Sequence, residues 1–160
     1  MKYQYCLFDL DGTLTDPGIG ITNSVMYALK KYGIEVKDRT ELYSFIGPPL
    51  QDSFRKYCGF SEAQASQAVE YYREYFRAGG MLENKVYEGI PELLRGLRER
   101  KVTVALATSK PYEFSVKILK HLGNAFVDFV FKQSRNAEIF SVVLYCLHCL
   151  FIGKTIKGLE

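Results

Sequence analysis

The residues best suited to chemistry stand near the start of the chain. Asp9 and Asp11 are carboxylates one residue apart, and Gly12-Thr13 follows at once. They come directly after Tyr5-Cys6-Leu7-Phe8, an apolar run that is continuous rather than alternating. Such a run is expected of a strand buried on both faces of a parallel sheet. In open α/β sheets ligands bind beyond the carboxyl ends of the strands, which is where Asp9 falls. Asp11 is predicted to point the same way from the start of the loop. Gly12 lets backbone N–H groups approach an anion closely. Buried paired acids are costly without a cation, and a bound divalent cation resolves that cost.

Three plainer readings compete for the same residues. Asp-Gly is a common hairpin turn pair, yet the residues after Thr13 do not alternate as a returning strand should. A calcium loop needs an oxygen ligand at its fifth position and a Glu at its twelfth. Counted from Asp9, those positions hold Thr13 and Gly20, so calcium fails. Acids at a strand end also cap a following helix, which leaves their burial uncompensated. A second polar cluster, Thr108-Ser109-Lys110-Pro111, ends the short apolar run 102–107. Taken alone, Thr-Ser before a Pro is the start of a helix and no more.

The elements that must position these groups can be read from spacing. Residues 16–82 read as consecutive helices without a strand. Ile21, Val25, Ala28, Leu29 and Tyr32 keep helical spacing up to Gly33. Residues 39–46 and 50–57 are two short helical candidates separated by Gly47-Pro48-Pro49. Ser61 is a predicted N-cap for a long helix that Gly79-Gly80 ends. Residues 88–100 carry a further helical stripe, 102–107 a strand, 114–122 a helix and 126–131 another apolar strand.

Phe8-Asp9-Leu10-Asp11-Gly12-Thr13-Leu14-Thr15-Asp16 resembles the first motif of the haloacid dehalogenase-like hydrolases, and the helical insert resembles that of their phosphoglycolate phosphatase-like branch. Thr108, in the expected order along the chain, resembles the second motif. The resemblance implies a Rossmann-like three-layer α/β/α core from residues 1–15 and 83–160, with 16–82 inserted as a helical cap. It implies that Asp9 and Asp11 are catalytic and hold Mg2+, and that Gly12, Thr108, Ser109 and Lys110 bind the phosphoryl group. Gly47 and Pro48 would form the cap loop. The implied substrate is a small phosphorylated metabolite, phosphoglycolate-like or a nucleoside monophosphate, hydrolysed through an aspartyl-phosphate.

The resemblance weakens after Leu122. Asn136 stands where a third motif would supply Lys, Lys154 stands where a fourth would supply Asp, and no Asp follows Asp128. Residues 139–152 are nearly all apolar, interrupted only by Ser141, Tyr145 and His148. That stretch falls short of the roughly 20 residues a membrane span needs. The expectation is a core truncated or frame-altered at its C-terminal end. The alternative function is an impaired homologue that binds phosphate or a partner without turnover, and a non-enzymatic interaction module is a third class.

Bulk properties bound the domain count and the partners. A chain of 160 residues is one domain, or one domain with an insert. A net charge of +3 without a basic cluster gives no nucleic-acid footprint. No secretory leader is legible after Lys2. The four cysteines are scattered, and Cys146-Leu147-His148-Cys149 lacks the second ligand pair of a zinc site. Reduced thiols in a cytoplasmic protein, with no membrane partner, are the expectation. Substrate identity and oligomeric state are not legible.

Overall fold

The computed structural model describes residues 4–123 and 127–130. In chain order these form β1 (Tyr5–Phe8), β2 (Thr15–Asp16), α1 (Gly18–Lys30), a 3₁₀ helix (Arg39–Phe45), α2 (Leu50–Cys58), α3 (Glu62–Ala78) and a 3₁₀ turn (Gly80–Leu82). β3 (Lys85–Val86), α4 (Ile90–Glu99), β4 (Thr103–Leu106), α5 (Tyr112–Leu122) and β5 (Phe129–Val130) follow. The chain divides into two compact units. Thr15–Tyr87 makes one, and the segments before Thr15 and after Tyr87 make the other.

The split unit is a parallel α/β core. Its sheet has the order β1-β4-β5 among the described residues, with Tyr5↔Thr103 through Phe8↔Leu106 and Ala105↔Phe129 in register. Val104, Ala105 and Leu106 are buried, as are Leu94 of α4 and Phe114, Ile118 and Leu119 of α5. An apolar sheet with amphipathic helices on it is the arrangement that buries a continuous strand run. β1 differs from expectation. Its residues are half-buried, and Tyr5 is 45% exposed. The cause is that β1 has a ladder neighbour on one side only among the described residues.

At the end of α4, the Lys101 N–H donates to the Arg98 carbonyl (2.7 Å) and the Val102 N–H to the Leu97 carbonyl (3.0 Å). This closes the helix and turns the chain into β4. Asp128 joins α4, β4 and the approach to β5. It accepts from the Val104 N–H at 2.8 Å and lies 3.6 Å from the Arg98 guanidinium.

The contiguous unit is helical with one small ribbon. Its apolar core comes from Ile21, Val25, Ala28 and Leu29 on α1, Leu42 and Phe45, Phe54 on α2, and Ala65, Ala68, Val69, Tyr72 and Phe76 on α3. Phe54 meets Phe45 edge-on with ring centroids 5.1 Å apart. Ser61 caps α3 in a reciprocal box with Gln64, each side chain bonding the other's backbone N–H. Gly20 is there for room. A Cβ would lie 2.1 Å from the Gly80 carbonyl oxygen, and its absence lets the Gly20 N–H reach the Glu83 carbonyl at 3.2 Å. Glu83 also accepts from Asn23 (2.8 Å) and Tyr75 (2.9 Å).

Two features of this unit depart from the sequence reading. The span predicted to lack strands begins in β2, which pairs antiparallel with β3 through Thr15↔Val86 and Asp16↔Lys85. Two-residue strands have no periodicity to read. Arg39–Phe45 is a 3₁₀ helix, opened by Asp38, whose carboxylate accepts from the Thr40 N–H at 2.9 Å. That backbone donor holds the Asp38 carboxyl below its ordinary value. Cys6 and Cys58 are free thiols. Among the described residues no helix is long and apolar enough to cross a membrane. Asn136, Cys146, Cys149, Lys154 and the apolar stretch 139–152 lie outside the described residues.

Candidate active site

The site begins where β1 ends. The Phe8 carbonyl still accepts from the Ala107 N–H at 2.8 Å, so β1 and β4 release their chains at the same level. Asp9 leaves one strand there and Thr108 the other. Asp9 is exposed, and its Oδ1 accepts from the Leu10 N–H at 2.7 Å. The loop that follows is pinned by two apolar plugs. Leu10 and Leu14 are both fully buried, and the Leu10 carbonyl accepts from the N–H groups of Thr13 (3.3 Å) and Leu14 (3.0 Å). Gly12, at φ 78°, makes that tight turn possible. No atom lies within 4 Å of where its Cβ would be, so its backbone is open to an approaching anion.

From the second strand, the Thr108 Oγ1 accepts from the Lys110 N–H at 3.2 Å. Ser109 is exposed. Pro111 restricts Lys110 to an extended backbone and then starts α5, its carbonyl accepting from Phe114 and Ser115. The Lys110 side chain returns to the first strand's loop, where its ammonium pairs with Asp11 Oδ2. Their side chains are 9% and 24% exposed. The structure therefore brings Asp9, Asp11, Gly12, Thr108 and Lys110 to one end of the sheet.

The ion pair is the part that sequence reasoning missed. The family resemblance makes Lys110 a phosphate contact, and nothing in its sequence neighbourhood names a partner 99 residues away. Gly47 and Pro48 lie in an exposed turn of the helical unit, Gly47 at φ 104°. Cys6, on β1, is no rival nucleophile. Burial pushes its thiol above the ordinary value, so it stays protonated at neutral pH.

These residues fit a hard divalent cation. Asp9 offers an exposed carboxylate at the end of β1, and the main chain at Asp11 follows it in the loop that Gly12 turns. Magnesium is normally held by one or two carboxylates, with waters and substrate phosphate completing its octahedron. Among the described residues no third acidic or imidazole side chain joins them.

Comparison with known proteins decides the family. A model described as haloacid dehalogenase-like hydrolase matches residues 6–138. The chain belongs to this hydrolase family. Within it, the chain is 52% identical to a Pseudomonas aeruginosa protein named 5′-nucleotidase, over 99% of this chain and 77% of that one. It is 38% identical to a Mycobacterium tuberculosis protein named tyrosine-protein kinase PtkA, over 75% of this chain but only 40% of the kinase. A candidate phosphatase from Clostridium difficile superposes with a TM-score of 0.85 at 38% identity, over 98% of this chain and 73% of that structure. Family and relatives together class this haloacid dehalogenase-like chain among the phosphoric monoester hydrolases.

Proposed function

We propose that the chain is a magnesium-dependent phosphatase of a small phosphorylated metabolite, working through an aspartyl-phosphate on Asp9. The observation that carries this is the pair Asp9 and Asp11 at one strand's end, beside Thr108 and Lys110 from the next. Between the two substrate types that the family resemblance implies, likeness to a protein named 5′-nucleotidase favours a nucleoside monophosphate.

In this reaction an Asp9 oxygen attacks phosphorus in line as the bond to the leaving oxygen breaks. Asp11 gives its proton to that oxygen and afterwards takes one from the water that attacks the phosphoenzyme. That second step frees inorganic phosphate and restores the Asp9 carboxylate. Gly12 N–H and the Thr108 and Ser109 hydroxyls would hold phosphoryl oxygens, with the charge of Lys110 alongside. Mg2+, held by the Asp9 carboxylate and the main-chain carbonyl at Asp11, would offset negative charge on nucleophile and phosphate. The helical unit is read as the cap, with Gly47 and Pro48 in its substrate-selecting loop.

The test is hydrolysis of p-nitrophenyl phosphate with and without magnesium, beside Asp9→Asn. Magnesium-dependent turnover that falls at least about 1000-fold in the variant is expected, since the covalent route is lost. Equal rates for the two proteins would overturn the reading.

A second reading has its own observation. Asn136 stands where the family resemblance calls for Lys, and Lys154 where it calls for Asp. A single electrostatic stabiliser is worth about 100- to 1000-fold in rate. Phosphate binding by folded protein without turnover is the result that selects this impaired-homologue reading.

A further inference from the structure

We propose that Lys110 sets which divalent ion the site accepts: its ammonium, tied to Asp11, withholds one carboxylate charge from the metal and so favours Mg2+ over Ca2+. The inference rests on the magnesium reading above, and no proton moves in it. Three observations carry it. The Lys110 side chain is nine-tenths buried, and its ammonium sits on Asp11 Oδ2. The lysine is also fixed by its backbone. Its N–H donates to Thr108 Oγ1 at 3.2 Å, its carbonyl accepts from Ser115 Oγ at 3.4 Å, and Pro111 restricts it to an extended conformation. Finally, among the described residues no third acidic or imidazole side chain stands with Asp9 and Asp11.

An exposed lysine keeps its charge in water, but a buried and paired one is a fixed part of its surroundings. Asp9, Asp11 and Lys110 together contribute one net negative charge, and without the ammonium the same loop would present two. Charges a few ångströms apart in a partly buried site interact far more strongly than in water, so this one charge weighs heavily on a divalent ion. The two ions respond differently. Mg2+ keeps several of its waters and needs few carboxylates, whereas Ca2+ takes about six to eight oxygens and its affinity follows the number of charged ligands. One uncompensated carboxylate, on Asp9, beside a main-chain carbonyl suits the first ion and gives the second too little. Lys110 reaches the loop after β1 from the turn after β4, so this selectivity comes from the fold and not from the acidic motif alone.

The experiment measures binding of each metal alone, with no substrate present. The Kd values of MgCl2 and CaCl2 are read from the rise in Tm with added salt, which also shows whether each protein is folded. The full chain is compared with Lys110→Met, Lys110→Arg, Asp11→Asn and the double variant Asp11→Asn/Lys110→Met. In Lys110→Met the Kd for Ca2+ should fall about tenfold or more, and that for Mg2+ about threefold. Lys110→Arg should keep both within about twofold, since the charge stays. Asp11→Asn should weaken both ions about tenfold, because the ammonium is then unopposed. The double variant again has one net negative charge and should return to within about threefold of the parent for each ion.

Equal changes for the two ions in Lys110→Met, or no tightening of either, would overturn the role. A double variant that binds neither ion would overturn it too, since the Asp11 side chain would then be a ligand and not a charge offset by Lys110. Should Lys110→Met fail to fold, the double variant against Asp11→Asn decides, because removing both partners leaves no unpaired buried charge. A parent chain that binds neither ion sinks the magnesium reading and this role with it. A parent that binds Mg2+, with the preference between ions unchanged in Lys110→Met, sinks this role alone.

Discussion

Lys101 ends α4 at φ 58°, the one described non-glycine residue with a positive φ. The left-handed conformation costs a side chain about 1 kcal/mol that glycine does not incur. The pair of hydrogen bonds from Lys101 and Val102 back into α4 requires that conformation. Lys101→Gly should therefore stabilise the protein by up to about 1 kcal/mol, read as a higher midpoint in urea. An unchanged or lower midpoint would show that the lysine stem contributes contacts that offset its backbone strain. At this same scale the sequence was most legible for Asp9, Asp11 and Gly12, because types and spacing alone defined a strand end, two acids and a turn. It was least legible for Lys110, whose role depends on a contact between residues 99 positions apart.

Among the elements, α3 shows how local chemistry sets a boundary. Ser61 and Gln64 satisfy each other's backbone N–H groups at its start, and Gly79 ends it. Ser61→Ala removes the half of the box in which the hydroxyl accepts from the Gln64 N–H, and leaves the backbone N–H of residue 61 to Gln64. A loss of about 1 kcal/mol is expected in chemical denaturation. A loss below about 0.3 kcal/mol would mean that packing of Ala65, Val69, Tyr72 and Phe76 alone sets the helix start. Capping residues and apolar spacing made α1, α2, α3, α4 and α5 readable to within a few positions. The ribbon of β2 and β3 was not readable, since two-residue strands exist only through their pairing.

Over the whole molecule, the chain leaves one compact unit after Leu14 and re-enters it at Glu88. The two crossings are unlike. Leu14 and Thr15 are fully buried, whereas Tyr87, Glu88 and Gly89 are exposed, and Gly89 turns at φ 80°. Exposed junctions between compact units are preferred sites of native-state nicking. Among residues 4–123, limited digestion with chymotrypsin or a Glu-specific protease should cut first at Tyr87 or Glu88, read by mass spectrometry. A first cut inside α1 or α3 would contradict a helical unit that holds together as one body.

What the sequence by itself determined was the class. A continuous apolar run followed by two acids and a glycine specifies a strand end in an α/β core, because period and turn propensity are local properties. The likeness of that stretch to a family motif then named the hydrolases, and the family match over residues 6–138 agrees. What only tertiary structure decided was which groups meet. The parallel register Phe8↔Leu106 brings Ala107 level with Asp9, with Thr108 one residue beyond, and Lys110 returns onto Asp11. Tertiary packing also leaves β1 half-buried and, within the helical unit, gives Gly20 its close approach to Gly80. Each is a relation between distant residues, settled by packing and hydrogen-bond satisfaction, which no local pattern encodes.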